Sequence, residues 1–276
     1  MKYQVIGDSC CDFTADERKK GHAVSIPMAI IIGGVEYQDD GSRSQQDWIS
    51  LIKNDEGYPQ SACPSPDAFY KAFDEDCVNF VVTISSKLSG VYNSAMLAKT
   101  MFEEEHEDAK IHIFDSLSAA AGEHLIYEKI VELAEAGRNF EEIIAETEDY
   151  RDSMTTVFVL DDLETFKRNG RLKGIKALVA TTMNIKPVLT GDEGEIKQID
   201  QAIGMNRAVN RMLYHMEKSG LDLTRRVRIT QCDSKKLCTK ISRVLKERFG
   251  FTDVEILDAQ GLSTSYENPG GVIIAY

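Results

Sequence analysis

The chain has 276 residues and carries 32 Lys plus Arg against 45 Asp plus Glu, a net charge of −13. That sign excludes nucleic acid and anionic membrane surfaces as general partners. The length suits two domains better than one core, and no apolar run is long enough to span a membrane. Met1 to Asp8 begins a strand, not a signal peptide. Cys10, Cys11, Cys63, Cys77, Cys232 and Cys238 form no C-x-x-C pair, so reduced thiols and a cytoplasmic setting are expected. His22, His106, His112, His124 and His215 show no metal spacing, and no metal or cofactor is expected.

In chain order, Tyr3 to Ile6 reads as a short strand ending in the polar loop Gly7-Asp8-Ser9-Cys10-Cys11-Asp12. Val24 to Tyr37 reads as extended chain with a turn at Gly33-Gly34, and Ser44 to Lys53 as a helix. Pro59, Pro64 and Pro66 exclude a regular helix or central strand between Tyr58 and Pro66. A helix starts at Pro66 with Ser65 as its N-cap. In that irregular stretch Ser61 is either a turn hydroxyl or a donor to a ligand.

Asn79 to Val82 reads as a strand and Ala95 to Phe102 as a helix, so the loop from Thr83 to Ser94 joins strand end to helix start. In an open α/β sheet ligands bind at that edge, and a helix N-terminus favours anions. Ser89 is expected as N-cap or as ligand donor. Gly90 lets a bound group approach the backbone. Ile111 to Ser116 is a further strand, and Ala119 to Ala136 and Phe140 to Asp152 are helices. This alternation predicts a parallel α/β sheet.

Residues 154–276 are read as a second, smaller α/β domain after an N-terminal domain of residues 1–153. It opens with Thr155 to Leu160 and continues with a helix over Asp161 to Arg168, closed by Asn169-Gly170. Gly174 to Met183 reads as a helix. Lys186 to Leu189 and Glu195 to Ile199 follow as strands, Asn206 to Lys218 as a helix, Val227 to Gln231 as a strand and Lys235 to Phe249 as a helix. Asp253 to Leu257 and Gly271 to Ala275 close the chain as strands.

Four stretches, taken together, resemble the DegV family: Asp8-Ser9-Cys10-Cys11-Asp12, the loop from Ile84 to Ala95, Leu163 to Leu172 with its Gly170-Arg171, and Asn268-Pro269-Gly270-Gly271. The resemblance runs through nearly the whole chain in order. It implies a DegV-like two-domain α/β fold holding a long-chain fatty acid in the interdomain cleft. It also implies a carrier subunit, without its own active site, that presents the acid to a fatty-acid kinase. In the family a hydroxyl from a Thr-Ser-Gln-Pro-Ser loop and the serine of a Ser-Gly-Thr-Tyr segment hold the carboxylate, and here these positions are Ser61 and Ser89. The chain departs from the pattern with Ser61 for threonine, Ala62 and Cys63 for Ser-Gln, Val91 for threonine and Tyr266 for a histidine. The ligand-binding candidates are therefore Ser61, Ala62, Ser89, Gly90, Arg171 and Tyr266. Arg171 can equally be a cation that complements the helix end before Gly170.

The physics of such a ligand is consistent with these groups. A fatty carboxylate has a pKa of roughly 4–5 and is ionised at pH 7. Two hydroxyls and free helix amides suit it without a buried cation. A tail of about fifteen carbons contributes roughly 12 kcal/mol at about 0.8 kcal/mol per methylene, against about 1.5–3 kcal/mol per charged hydrogen bond. The tail then dominates affinity and the hydroxyls fix orientation.

Three other readings use the same residues. Gly7-Asp8-Ser9 is similar to the GDS box of SGNH-type esterases, which need a general-base histidine late in the chain, and His215 is the last one. A thiol enzyme would use Cys10 or Cys11, for which buried small hydrophobes are the default. A carrier of another lipid or apolar carboxylate would keep the fold and change the ligand.

Overall fold

The structure is a computed structural model that describes residues 1–55, 57–172 and 184–276. The expected helix over Gly174 to Met183 lies outside the described residues.

The first half builds one parallel sheet. Strand β1 (Tyr3–Asp8) runs into a tight helical turn, Ser9–Cys11, and helix α1 (Ala15–Lys19) follows behind a Thr14–Glu17 capping box. Strand β2 (Ala23–Ile26) pairs with β1 in parallel. Pro27 then separates β2 from β3 (Ala29–Ile32), which leaves that sheet. The extended stretch expected over Val24 to Tyr37 is therefore two pieces of two sheets. β3 turns through Gly33 (φ +59) and Gly34 (φ +78) into β4 (Val35–Gln38), and only glycine adopts that two-residue turn freely.

Helix α2 (Gln45–Lys53) starts at a Ser44–Asp47 capping box. β5 (Gln60–Ala62) joins the other side of β3, giving a three-stranded antiparallel sheet ordered β4-β3-β5. The proline-rich segment thus forms a strand after all, but a three-residue edge strand, where missing N–H groups are tolerated.

Helix α3 (Pro66–Tyr70) leads to β6 (Val78–Thr83), helix α4 (Val91–Glu105), β7 (Lys110–Asp115), α5 (Ala121–Glu135) and α6 (Phe140–Asp152). The sheet order is β2-β1-β6-β7, all parallel. One face packs on α2, α3 and α4 through Trp48, Phe69, Phe73 and Phe102, the other on α5 and α6 through Tyr127, Ile130 and Ile143. Burial on both faces is why β6 reads as the unbroken apolar run Phe80-Val81-Val82.

The second half builds a six-stranded sheet ordered β10-β9-β8-β13-β11-β12. Its strands are β8 (Thr156–Val159), β9 (Ile185–Asp192), β10 (Glu195–Ile203), β11 (Val227–Gln231), β12 (Val254–Asp258) and β13 (Val272–Ala275). Only β11 and β12 pair in parallel; the other neighbours are antiparallel. Helix α7 (Glu164–Arg168) is shorter than expected because Leu163 is its N-cap. Helix α8 (Met205–Lys218) and α9 (Lys235–Val244) cover one face, and α9 continues as a π turn over Leu245–Phe249. Helix α10 (Gly261–Glu267) instead packs on α2 and on the Ser9–Cys11 turn of the first half.

The two sheets meet through α5. Ala121 and Leu125 pack with Phe158, Leu160, Leu189, Ile273 and Ala275, while buried Arg228 of β11 reaches Glu128 of α5 at 2.7 Å. The protein is a parallel-sheet α/β domain joined to a second sheet domain.

Candidate functional site

Two loops at the carboxyl edge of the parallel sheet are tied together by one buried carboxylate. Asp8, at the end of β1, accepts the N–H of Cys10 at 2.9 Å and the N–H of Ile84, just beyond β6, at 2.8 Å. Burial pushes this carboxyl up to about 6 against the lowering effect of those two amides.

Two further buried carboxylates hold α10 over the loops. Asp39 accepts the N–H groups of Gly261 and Leu262 at 2.9 and 2.8 Å, the free donors of the helix's first turn. Asp12 accepts the N–H of Gln260 at 2.7 Å and the hydroxyl of Ser263 at 2.8 Å. Burial pushes Asp12 up to about 8. Gly261 sits so close to α2 that a Cβ there would lie 2.5 Å from the Trp48 ring. None of these anchors was among the sequence candidates. The polar run Asp8 to Asp12 carries a signal for two of them, but Asp39 has none, since its role depends on a helix 222 residues away.

Between the loops, β5, α7 and α10 lies a cavity of about 60 Å³, room for roughly two waters at about 30 Å³ each. Its walls are mainly apolar: Met28, Ile84, Leu88, Phe166, Leu262 and Ile273, with Cys10, Ala119 and Ala120. Ala120 has φ +52, a strained backbone for alanine at the cavity wall. The polar lining side chains are Ser61, Ser89, Arg171, Ser263, Tyr266 and Glu267.

Four of the six sequence candidates thus meet at one cavity. The Ser61 and Tyr266 hydroxyls lie 3.2 Å apart. Tyr266 stacks edge-on against Phe166 at 4.8 Å between centroids, and the Arg171 guanidinium lies 5.8 Å from its ring. Arg171 Nε donates to the carbonyl of Leu88, next to Ser89, at 3.2 Å. A Schellman closure of α7 places this arginine: the Arg171 N–H bonds the Phe166 carbonyl and the Gly170 N–H bonds that of Lys167, with Gly170 at φ +72.

Gly90 and Ala62 do not line the cavity. Gly90 is the exposed N-cap of α4, and Ala62 is exposed at the end of β5. Because Gly90 holds the N-cap, Ser89 does not cap α4; it lines the cavity instead. Sequence reasoning missed Phe166, Ser263 and Glu267, which reach the cavity only through the docking of α7 and α10.

The competing chemistries find no matching geometry among the described residues. Ser9 is buried and accepts the Met28 N–H at 3.3 Å. His215 is bonded to Asp200 at 2.9 Å between α8 and β10, and His124 spends its two ring nitrogens on the Cys11 carbonyl and Glu17. Cys10 and Cys11 belong to different core clusters. Burial and nearby carboxylates push both thiols well above the usual range, away from a nucleophilic thiolate.

A second, more open hollow of about 280 Å³ lies beside the cavity and shares Leu88 and Arg171 with it; Lys87, Asn169, Gly170, Glu195 and Ile196 complete its lining. Among the described residues no helix is long and apolar enough to cross a membrane.

Comparison with known proteins places this arrangement. A curated DegV domain-containing protein of Streptococcus pneumoniae is 32% identical over 279 residues, covering 100% of this chain and 99% of the relative. A crystal structure of a DegV family protein from Ruminococcus gnavus, refined with vaccenic acid, superposes with a TM-score of 0.95 at 36% identity over 99% of each chain. The Streptococcus pneumoniae Fatty Acid Kinase B3 protein loaded with linoleic acid matches with a TM-score of 0.92 at 31% identity, over 100% of this chain and 99% of the other. A DegV family protein from Eubacterium eligens loaded with heptadecanoic acid matches with a TM-score of 0.90 at 29% identity, over 99% and 98%. The family profile described as "Uncharacterised protein, DegV family" matches residues 2–276, and with an apolar cavity built from the same loops, this chain belongs to the DegV family.

Proposed function

We propose that this protein binds a long-chain fatty acid, with the carboxylate at Ser61, Ser89 and the Tyr266 hydroxyl and the tail in the apolar cavity. The observation that carries the reading is the meeting of those hydroxyls and Arg171 on a cavity otherwise walled by Met28, Ile84, Leu88, Phe166, Leu262 and Ile273. The fatty acids held by the Ruminococcus, Eubacterium and Streptococcus relatives support it. The cavity of about 60 Å³ takes only part of such a tail, and Met28 is the lining side chain that gives way to admit the rest, because an unbranched thioether chain adapts its rotamers at small cost. In this reading the chain divides into domains 1–153 and 154–276, with the ligand between them.

The protein acts as a carrier subunit, not as an enzyme, and works in the cytoplasm. It presents the carboxylate to a fatty-acid kinase. The open hollow that shares Leu88 and Arg171 with the cavity gives a phosphate donor access to the head group, and the kinase name carried by the Streptococcus relative supports this. Native mass spectrometry and lipid extraction of the purified protein test the reading. A co-purifying or readily loaded fatty acid at one per chain is expected; a protein that stays lipid-free in the presence of fatty acid overturns it.

A further inference from the structure

The charge of this protein is unevenly placed. Helices α8 and α9, with the π turn that continues α9, carry nine Lys and Arg against two carboxylates, Glu217 and Glu247, in a chain of net charge −13. Arg207, Arg211 and Lys218 lie exposed on α8. Lys235, Lys236, Lys240 and Arg243 lie exposed on α9, opposite its buried Cys238 and Ile241, and Lys246 and Arg248 follow on the π turn. Among the described residues only Arg211 and Arg248 of this set meet a carboxylate, at 3.8 Å from Asp200 and 2.7 Å from Glu217. Other helices of the chain pair their surface cations within one turn, as in Lys71–Asp67, Lys99–Glu103, Lys129–Glu132 and Lys167–Glu164. On α9 the neighbours one turn apart are like charges instead, Lys236 with Lys240 and Lys240 with Arg243, and they repel. Lys235 and Lys236 also stand in the first turn, where the helix dipole disfavours a cation and no acidic residue compensates. A row that weakens its own helix on both counts is relieved when an anionic surface covers it.

We propose that the outer face of α9, flanked by α8, docks an acidic helical face of a protein partner, whose carboxylates one turn apart meet Lys236, Lys240 and Arg243. This goes beyond the fatty-acid reading and does not depend on it. At physiological ionic strength charges are screened over about 8 Å, so acidic residues elsewhere on the chain do not cancel the local field. The position of α9 on the sheet decides against a lipid surface. Alternate residues of β13 point to opposite faces: Val272 and Ile274 pack with α8 and α9, and Ile273 lines the cavity. A bilayer lying on α9 would meet the side of the sheet turned away from the cavity. A protein docked there leaves the cavity free. A nucleic acid would run past the row onto the rest of an acidic chain.

The test is binding of a fluorescein-labelled helical peptide with glutamates one turn apart along one face, read by fluorescence anisotropy at low and high salt. Phosphatidylglycerol vesicles and duplex DNA serve as competing anions. The parent is expected to bind the peptide at low salt and release it at high salt. Lys236→Glu with Lys240→Glu and Arg243→Glu is expected to weaken binding by about tenfold or more, because each exposed pair contributes little but three are reversed together. Lys236→Gln with Lys240→Gln and Arg243→Gln gives a smaller loss. Fatty-acid loading is expected to be the same with and without bound peptide. The inference is overturned by a parent that ignores the peptide, by a Glu variant that binds it as well as the parent, or by tighter binding to the vesicles or the DNA. Peptide that blocks loading overturns it too. Each of these outcomes leaves the fatty-acid reading standing, and a chain that binds the peptide but loads no fatty acid overturns that reading alone. Should the Glu variant not fold, the Gln variant and the salt dependence of the parent decide.

Discussion

The hydroxyls of Ser61 and Tyr266 lie 3.2 Å apart although 205 residues separate them. One sits on an edge strand of the small antiparallel sheet, the other on α10, and the contact forms because Asp39 and Asp12 hold α10 against the first half of the chain. Tyr266 fills a position where a histidine was the expectation from the family pattern. Its phenol keeps a donor and an acceptor there.

If Ser61 and Ser89 hold the carboxylate, removing them weakens the head-group contact and spares the tail. Ser61→Ala with Ser89→Ala is expected to lower fatty-acid affinity by about 100-fold or more, at roughly 1.5–3 kcal/mol for each of the two lost charged hydrogen bonds. Both side chains are only half-buried, so thermal unfolding should move little. Titration calorimetry with fatty acid, beside a melting curve, checks this. Unchanged affinity in a folded double variant counts against the head-group assignment.

The seat of α10 depends on the missing side chain at Gly261. A Cβ there would come within 2.5 Å of Trp48 and 2.6 Å of Asp39 Oδ1, and neither a buried indole nor an anchoring carboxylate can yield easily. Gly261→Ala should destabilise the protein by about 1–3 kcal/mol through overpacking. It should also loosen ligand retention, because the same helix carries Leu262, Tyr266 and Glu267. Chemical denaturation and lipid retention, measured on the same preparation, report the two effects.

Asp12 makes stability depend on pH in a direction opposite to that of an ordinary paired carboxylate. Its folded-state value is raised from 3.8 to about 8. Its favourable contribution is therefore full below about pH 4 and lost as pH rises through about 8. Asp12→Asn removes that dependence, and asparagine tolerates the left-handed backbone at this position (φ +52). The stability of the variant relative to the parent should rise between pH 4 and 8, by at most about 1.4 kcal/mol per pH unit. Asp8, raised to about 6, titrates in both proteins and cancels from the comparison. Denaturant unfolding at pH 5 and pH 8 measures the difference, and a flat or falling difference would sink the account.

Local order carried much of the fold into view. The parallel sheet was legible because its strands are buried on both faces and so read as unbroken apolar runs such as Phe80-Val81-Val82, separated by amphipathic helices. The loop from Ile84 to Ser89 was legible as a candidate site because strand end and helix start leave polar residues and free amides at one edge. The turn at Gly33-Gly34 and the closure at Gly170 followed from glycine's access to positive φ.

What the sequence by itself determined, then, is the alternation of elements and the polar loops at the sheet edge, because both depend on neighbours a few residues apart. Only the tertiary structure decided that Pro27 sends β2 and β3 into different sheets and that Gly90, not Ser89, begins α4. It alone decided that Phe166, Ser263 and Glu267 face the same cavity as Ser61. Those outcomes hang on where α7 and α10 dock, and docking is fixed by buried carboxylates such as Asp39 that find their amide partners more than two hundred residues away. Contacts of that range leave no periodic trace in the chain, so the wall of the cavity emerges only when the helices are in place.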